Sequence, residues 1–361
     1  MKKSLIALAV LAASGAAMAQ STVTLYGLID VSLQSYKKPS VDATTGVLSS
    51  VTQTRMQSGL QNGSRWGLKG SEDLGGGLNA VFDLQSGFNV DTGSSAQGGL
   101  LFGRHAFVGF SGGFGTLTFG RHDTSLDDAI GDFLPSAHNG ADVTAGPGLA
   151  PLTSTTTVAT VLNNSLNSVG AWVGYNSRVD NSIKFQSNNY SGFRVSAVYG
   201  LGENKTATVG ATSTFSIAAR YDNGPIGVLL AYQDEGLFKT TTLDAKLKNT
   251  LVGAYYDFGV AKVYADYNEA KLDVSGVSDK NKEYAFGVSA PVGAFTLRAE
   301  YAQSKGDILL TDNKSKGFDL EVLYDLSKRT TLYTSYASTK HFQDFDESKT
   351  NLFAVGVRHK F

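Results

Sequence analysis

The chain has no cysteine. Secreted domains are often stapled by disulfides, so a secreted chain without them must be held together by something else. Proline is scarce, 6 residues in 361, whereas glycine is abundant at 41, a balance suited to many strands joined by tight turns. Beyond the N-terminal segment no apolar run approaches the ~18 residues of a membrane-spanning helix. Charge of either sign is not in excess: 31 Lys and Arg stand against 32 Asp and Glu, which leaves no global field to draw nucleic acid. The five histidines, His105, His122, His138, His341 and His359, are scattered. No H-E-x-x-H pattern is present, so the metal-hydrolase motif is missing. "DVSGVSDKN" lacks the acid spacing of a calcium loop, and no aromatic platform interleaved with cations offers a nucleic-acid surface.

What is there begins with Lys2 and Lys3, the apolar stretch Leu5 to Ala13, and Ala17-Met18-Ala19. This is the pattern of a cleaved secretory signal over residues 1–19, leaving residues 20–361 as one exported unit without a linker or a shift of composition. Alternation of period two then runs down the whole mature chain. Val23, Leu25, Ile29, Val31 and Leu33 share one face, and Thr24, Asp30, Ser32 and Gln34 the other. Phe215, Ile217 and Tyr221 oppose Ser216, Arg220 and Asp222, and Phe318, Leu320 and Val322 oppose Asp319 and Glu321. Such strands are wet on one side only.

Connections sort into short ones, such as Gly75-Gly76-Gly77 and Asn223-Gly224-Pro225, and long polar ones near 38–63, 91–100, 123–176, 201–212, 236–248, 271–281, 305–316 and 340–349. Counting between them gives about sixteen strands, each near the ~9–11 residues that cross a bilayer when tilted. The fold predicted is all-β, an antiparallel up-and-down transmembrane barrel with turns on one rim and loops on the other. A cation on the lipid face costs roughly 2–4 kcal/mol at the midplane. The charged faces, with Lys69, Asp83, Lys184, Arg194, Arg220, Arg298, Glu300, Asp319 and Glu321, are therefore expected inside, around water. Tyr199, Tyr232, Tyr264, Tyr284, Tyr301 and Tyr324 are expected as an aromatic girdle, with Tyr255 and Tyr336 as candidates for the lumen. The closing strand, "NLFAVGVRHKF", must pair with the first, because a barrel in lipid has no free edge.

The segments "VTLYGLIDVSL", "SRWGLKGSEDLGGGL", "GRHAFVGFSGGFGTLTFGR" and "RVDNSIKFQSNNYSGF", in this order and ending on Phe361, resemble the Gram-negative general porins over essentially the whole mature chain. The resemblance implies an outer-membrane homotrimer of sixteen-stranded barrels that pass small hydrophilic solutes and ions by passive diffusion. It further implies contact with outer-membrane lipid and lipopolysaccharide, insertion by the assembly machinery through the strand ending in Phe361, and no cofactor, metal or catalytic residue. The segment 123–176 then corresponds to the inward-folded third loop. Asp128 and Asp132 match the acidic positions before Leu134-Pro135, while Ser136 stands where a Glu often follows, weakening the acidic side.

Arg65, Arg104 and Arg178 match the basic wall opposite that loop, with Arg121 a weaker candidate. Alternation alone puts Arg104 on the face of Val108 and Phe110, so a bulge or loop packing must turn it inward. With the arginines present and one acid absent, a weak preference for anions is expected. A substrate-specific channel for phosphate or an oligosaccharide shares this fold and stays open as an alternative, as, further off, does a barrel enzyme.

Overall fold

Apolar and polar residues alternate along seventeen strand segments of one closed antiparallel sheet in a computed structural model, which describes residues 22–41, 48–136, 171–307, 313–343 and 346–361. The signal segment, His138 and the middle of the 123–176 segment lie outside the described residues. The first strands are β1 (Thr22–Val41), β2 (Leu48–Ser58), β3 (Arg65–Gly75), β4 (Leu78–Gly87), β5 (His105–Gly112) and β6 (Gly115–Asp123). Then follow β7 (Arg178–Gln186), β8 (Phe193–Gly200), β9 (Thr214–Asn223), β10 (Ile226–Lys239) and β11 (Asp244–Asp257). The last are β12 (Lys262–Val274), β13 (Val277–Val292), β14 (Phe295–Gly306), β15 (Asn313–Asp325), β16 (Thr330–Gln343) and β17 (Asp346–Lys360).

The long β1 pairs with β3 through its first part and with β2 through its second, so β2 and β3 stand end to end as one stave of a sixteen-stave barrel. On its other side β1 pairs with β17, Leu28 opposite Lys360, and Phe361 and Gly27 exchange backbone hydrogen bonds at 3.0 Å. That closure leaves no unpaired edge in hydrocarbon.

The barrel is inside out relative to a water-soluble protein. Leu33, Phe215, Leu320 and Phe353 are exposed on the outside, while Gln34, Ser216, Asp319 and Glu321 are buried within. Tyr199, Tyr284, Tyr301 and Tyr324 face outward as the girdle requires. Tyr264 does not: it shares the inward parity of the buried Asp266 and packs at a tilt against Tyr255, ring centroids 6.0 Å apart. Tyr336 is exposed on the outer face rather than in the lumen.

Several predicted loops are shorter than the sequence suggests. The span 38–63 holds the end of β1 and all of β2, 340–349 carries the paired ends of β16 and β17, and most of 236–248 and 271–281 continues as paired strand, turning only at 240–243 and 275–276. The reason is that alternation persists there in polar residues: once a strand rises above the membrane, its outer face needs no hydrophobicity.

Two stretches fold into the lumen. One is the break 59–64 between β2 and β3, where Leu60 is buried and the Asn62 amide donates to Asp30 Oδ2 at 2.7 Å. The other is the β6–β7 connection, which carries helix α1 (Ser125–Phe133). Thr124 caps α1, its hydroxyl accepting from the Asp127 amide at 3.2 Å. Another free amide, on Leu126, donates to Ser216 Oγ of the wall at 3.0 Å. Leu126, Ala129, Ile130 and Phe133 form one buried helix face against Ala218, Leu229, Ala231 and Leu251, inward residues of β9–β11. Small and apolar inward positions on those staves are what let a helix lie flat on the wall.

Candidate constriction site

Three of the predicted arginines converge beside α1. Arg65 opens β3 and donates from Nη1 to the Gly63 carbonyl at 3.1 Å. Arg104 precedes β5, free of strand alternation, and its Nε reaches inward to Gln85 Oε1 at 2.5 Å. This is the loop packing that simple parity demanded. Arg178 opens β7 and places Nε 2.7 Å from Asp123 Oδ1. Arg104, Arg65 and Arg178 lie within electrostatic reach of one another. Desolvation, then repulsion from Arg178 and Arg65, presses the Arg104 guanidinium below the ordinary arginine value; it remains cationic at neutral pH.

Asp123 is the hinge of this cluster. Its Oδ2 meets His105 Nε2 at 2.9 Å, and His105 Nδ1 meets Asp83 Oδ2 at 3.0 Å. Two carboxylates flanking one imidazole suit the protonated ring, in which both nitrogens donate. Asp83 also accepts from the Tyr26 hydroxyl at 2.6 Å, and Lys69 sits 5.0 Å from the Tyr26 ring centroid. His105 is thus part of the charged wall, whereas in the sequence it is only one of five scattered histidines.

Of the loop acids, Asp123 is ion-paired with Arg178 and Asp127 acts electrostatically on Arg104, whereas Asp128 turns to a wall lysine. Asp128 Oδ2 pairs with Lys184 Nζ at 2.6 Å, and the same ammonium donates to the Asp123 carbonyl at 2.8 Å. Burial holds the Asp128 carboxyl above the usual Asp range even with Lys184 beside it. Asp132 belongs to α1, but its side chain lies outside the described residues. Arg121 is not brought to the cluster. A bulge between Gly120 and His122 interrupts the register, and its guanidinium turns to the Gly103 carbonyl at 2.8 Å and to the exposed Asp180 at 2.6 Å.

Across the lumen a second set of charges has a different occupation. Ser136, in the place of the expected Glu, donates from Oγ to Asp319 Oδ2 at 2.7 Å and from its amide to Glu300 Oε2 at 3.3 Å. Pro135 presses on Gly287, where a Cβ would sit 2.7 Å from its ring, so a side chain there would displace the loop. On the returning stretch, the Val173 amide donates to Glu283 Oε1 at 2.6 Å and the Asn176 amide to Glu235 Oε2 at 3.0 Å. Gln61 of the other inward stretch donates to Glu321 Oε1 at 2.6 Å. All five carboxylates are buried. Glu235 and Glu283 were missed as functional positions because their surroundings read as external loop; their inward parity with Gln233 and Ala285 was the available signal.

Known proteins bear on this geometry. A family model described as Gram-negative porin matches residues 5–342. The chain is 32% identical to an outer membrane porin protein of Bordetella pertussis, over the full length of both. It is 34% identical to outer membrane porin protein 32 of Delftia acidovorans, covering 99% of this chain and 94% of that one. The solved anion-selective porin from Comamonas acidovorans superposes with a TM-score of 0.71 at 27% identity, covering 95% of this chain and 100% of that one. The closed sixteen-stave barrel, its wet interior and these relatives together show that the chain belongs to the Gram-negative porin family, outer-membrane channels for passive diffusion rather than enzymes.

Proposed function

We propose that the channel weakly prefers anions, with Arg65, Arg104 and Arg178 forming the basic wall of a constriction whose opposite side is α1 and its flanking loop. One observation carries the reading: the three arginines are gathered on one wall while Asp128 is neutralised by Lys184 and the far acids are buried in hydrogen bonds to the loop. Cations held beside a narrow water column, between low-dielectric walls, raise the local concentration of anions and lower that of cations. Small polar solutes cross by aligning their dipoles in the transverse field, whereas bulky apolar ones lose hydration without compensation. Asp132 would add to the acidic side. Association as a homotrimer, a cleaved segment 1–19 and insertion through the strand ending in Phe361 complete the proposal. A solved OmpT of Vibrio cholerae in trimer form, 17% identical, shares the fold.

The test is the reversal potential of purified protein in planar bilayers across a salt gradient. The expected sign is that of anion preference, moving toward neutrality in Arg65→Ala and further in the double variant with Arg178→Ala. A clear cation preference in the unaltered protein would sink the proposal, and unchanged selectivity in both variants would remove the arginine assignment.

A further inference from the structure

We propose that a proton held on His105, between Asp83 and Asp123, sets the strength of the basic wall, so that alkaline pH switches anion preference down. The inference deepens the proposed constriction and rests on that reading.

His105 opens β5 directly after Arg104, with β4 on one side and β6 on the other. Its ring bridges those neighbours: Nδ1 stands 3.0 Å from Asp83 Oδ2 and Nε2 stands 2.9 Å from Asp123 Oδ2. A neutral imidazole has one N–H and one lone pair. Whichever tautomer it took, one carboxylate oxygen would face that lone pair at hydrogen-bond distance. The imidazolium alone satisfies both partners. Arginines and lysines keep their charge near neutral pH, whereas a histidine can give its charge up. The His105 side chain is 23% exposed, so protons reach it from the pore water.

The proton matters beyond its own charge, because two wall arginines are anchored through the same ring. On one side the Tyr26 hydroxyl donates to Asp83 Oδ1 at 2.6 Å and accepts from Gln85 Nε2 at 2.8 Å. Gln85 Oε1 in turn accepts from Arg104 Nε. On the other side Asp123 Oδ1 lies 2.7 Å from Arg178 Nε. His105 joins these two chains of contacts into one network. Losing the proton therefore loosens a hold on both Arg104 and Arg178 while leaving the carboxylates in place.

The local charges give the size of the effect. Arg65, Arg104, Arg178 and protonated His105 are four cations beside Asp83 and Asp123; without the proton three remain, and the excess falls from two to one. The surrounding groups are Lys69 on β3, Tyr26 on β1, Lys184 on β7, Asp127 on α1, and Arg121 and His122 on β6. Lys184 is committed to Asp128, Arg121 to Asp180 and the Tyr26 hydroxyl to Asp83. The His122 ring stacks on Phe107 beside His105, but its Nδ1 faces a hydroxyl, Ser182 Oγ at 2.8 Å, where a neutral ring suffices. His105 is thus the histidine whose charge the wall is built around.

The experiment is the reversal potential of the purified barrel in planar bilayers across a potassium chloride gradient, recorded from about pH 6 to pH 9. Histidines, rather than ordinary carboxylates or lysines, change charge in that range. As pH rises, the anion-to-cation permeability ratio of the unaltered protein should fall in a one-proton step. The loss should match the one Arg178→Ala causes at the acidic end, since each removes one unit of positive charge. His105→Gln should show the low ratio throughout and no step. His105→Arg, a fixed cation with donors for both carboxylates, should show the high ratio throughout. His122→Gln should keep the step. Each variant is measured as protein that resists SDS until heated. If His105→Gln does not fold, His105→Arg decides by itself, because a step surviving there belongs to another group. A ratio flat with pH in an anion-preferring channel overturns the proposal, as does an unchanged step in either His105 variant. Cation preference of the unaltered protein over the whole range would instead sink the basic-wall reading.

Discussion

The lumen has two walls built from similar residues and put to opposite uses. On β3–β7, Arg65, Arg104, Arg178 and His105 neighbour one another and remain partly open to the pore, with Asp123 and Asp83 as partial counter-charges, while Lys184 is buried against Asp128. On β10–β15, Glu235, Glu283, Glu300, Asp319 and Glu321 are buried under the chain they hold. A count of inward charges treats the walls as equal and opposite. Burial separates them: a carboxylate already accepting hydrogen bonds from the inward-folded chain is part of the scaffold, and a guanidinium facing water is part of the field. On the proposed reading, the difference lets a chain with almost balanced charge present a basic wall to the pore.

Breaking the scaffold should have the largest effect. Phe133 is fully buried beneath α1, its ring 4.8 Å from the Arg220 guanidinium and 5.3 Å from the Tyr255 ring. Phe133→Ala should destabilise helix docking by about 3–5 kcal/mol, read as a lower temperature for loss of SDS resistance and a larger, noisier single-channel conductance. Unchanged conductance would mean that α1 does not set the pore.

Next comes Glu283→Leu, which leaves the Val173 amide and the Asn268 side-chain amide without their acceptor, at a cost of about 1–3 kcal/mol for each buried donor left unsatisfied. Conductance should rise while the anion-to-cation permeability ratio stays put. A shift of that ratio as large as the one from Arg178→Ala, measured in the same bilayers, would erase the distinction between the walls.

The smallest effect is a pH dependence. The raised Asp128 value means that, as pH falls toward the carboxylate range, this group takes up a proton before ordinary exposed aspartates do. Proton uptake removes a negative charge and releases Lys184, so anion preference should strengthen on acidification. In Asp128→Asn this early step should be missing from the reversal-potential titration; an identical titration would show that other groups carry it.

Much of this was legible before any coordinates. Period-two alternation located the lipid face because the cost of a charge in hydrocarbon leaves no alternative. Arg65 and Arg178, picked out by their motifs, come within electrostatic reach of one another. What failed did so where alternation stops or misleads. Arg121 lies in a bulge, and Tyr264 is an aromatic whose parity was overridden by its chemical type. Glu235 and Glu283 lie just beside the stretches 236–248 and 271–281, whose polarity suggested external loop. Polarity cannot distinguish a strand that has left the membrane from a coil.

The sequence by itself determined the barrel, its closure and which side meets lipid, since all three follow from local periodicity and the penalty for wetting or charging the wrong face. Only the tertiary structure decided which inward charges act on the water column. That depends on contacts between residues far apart in the chain, such as Gln61 with Glu321 and Ser136 with Asp319, and no local pattern encodes which carboxylate a returning loop will cover.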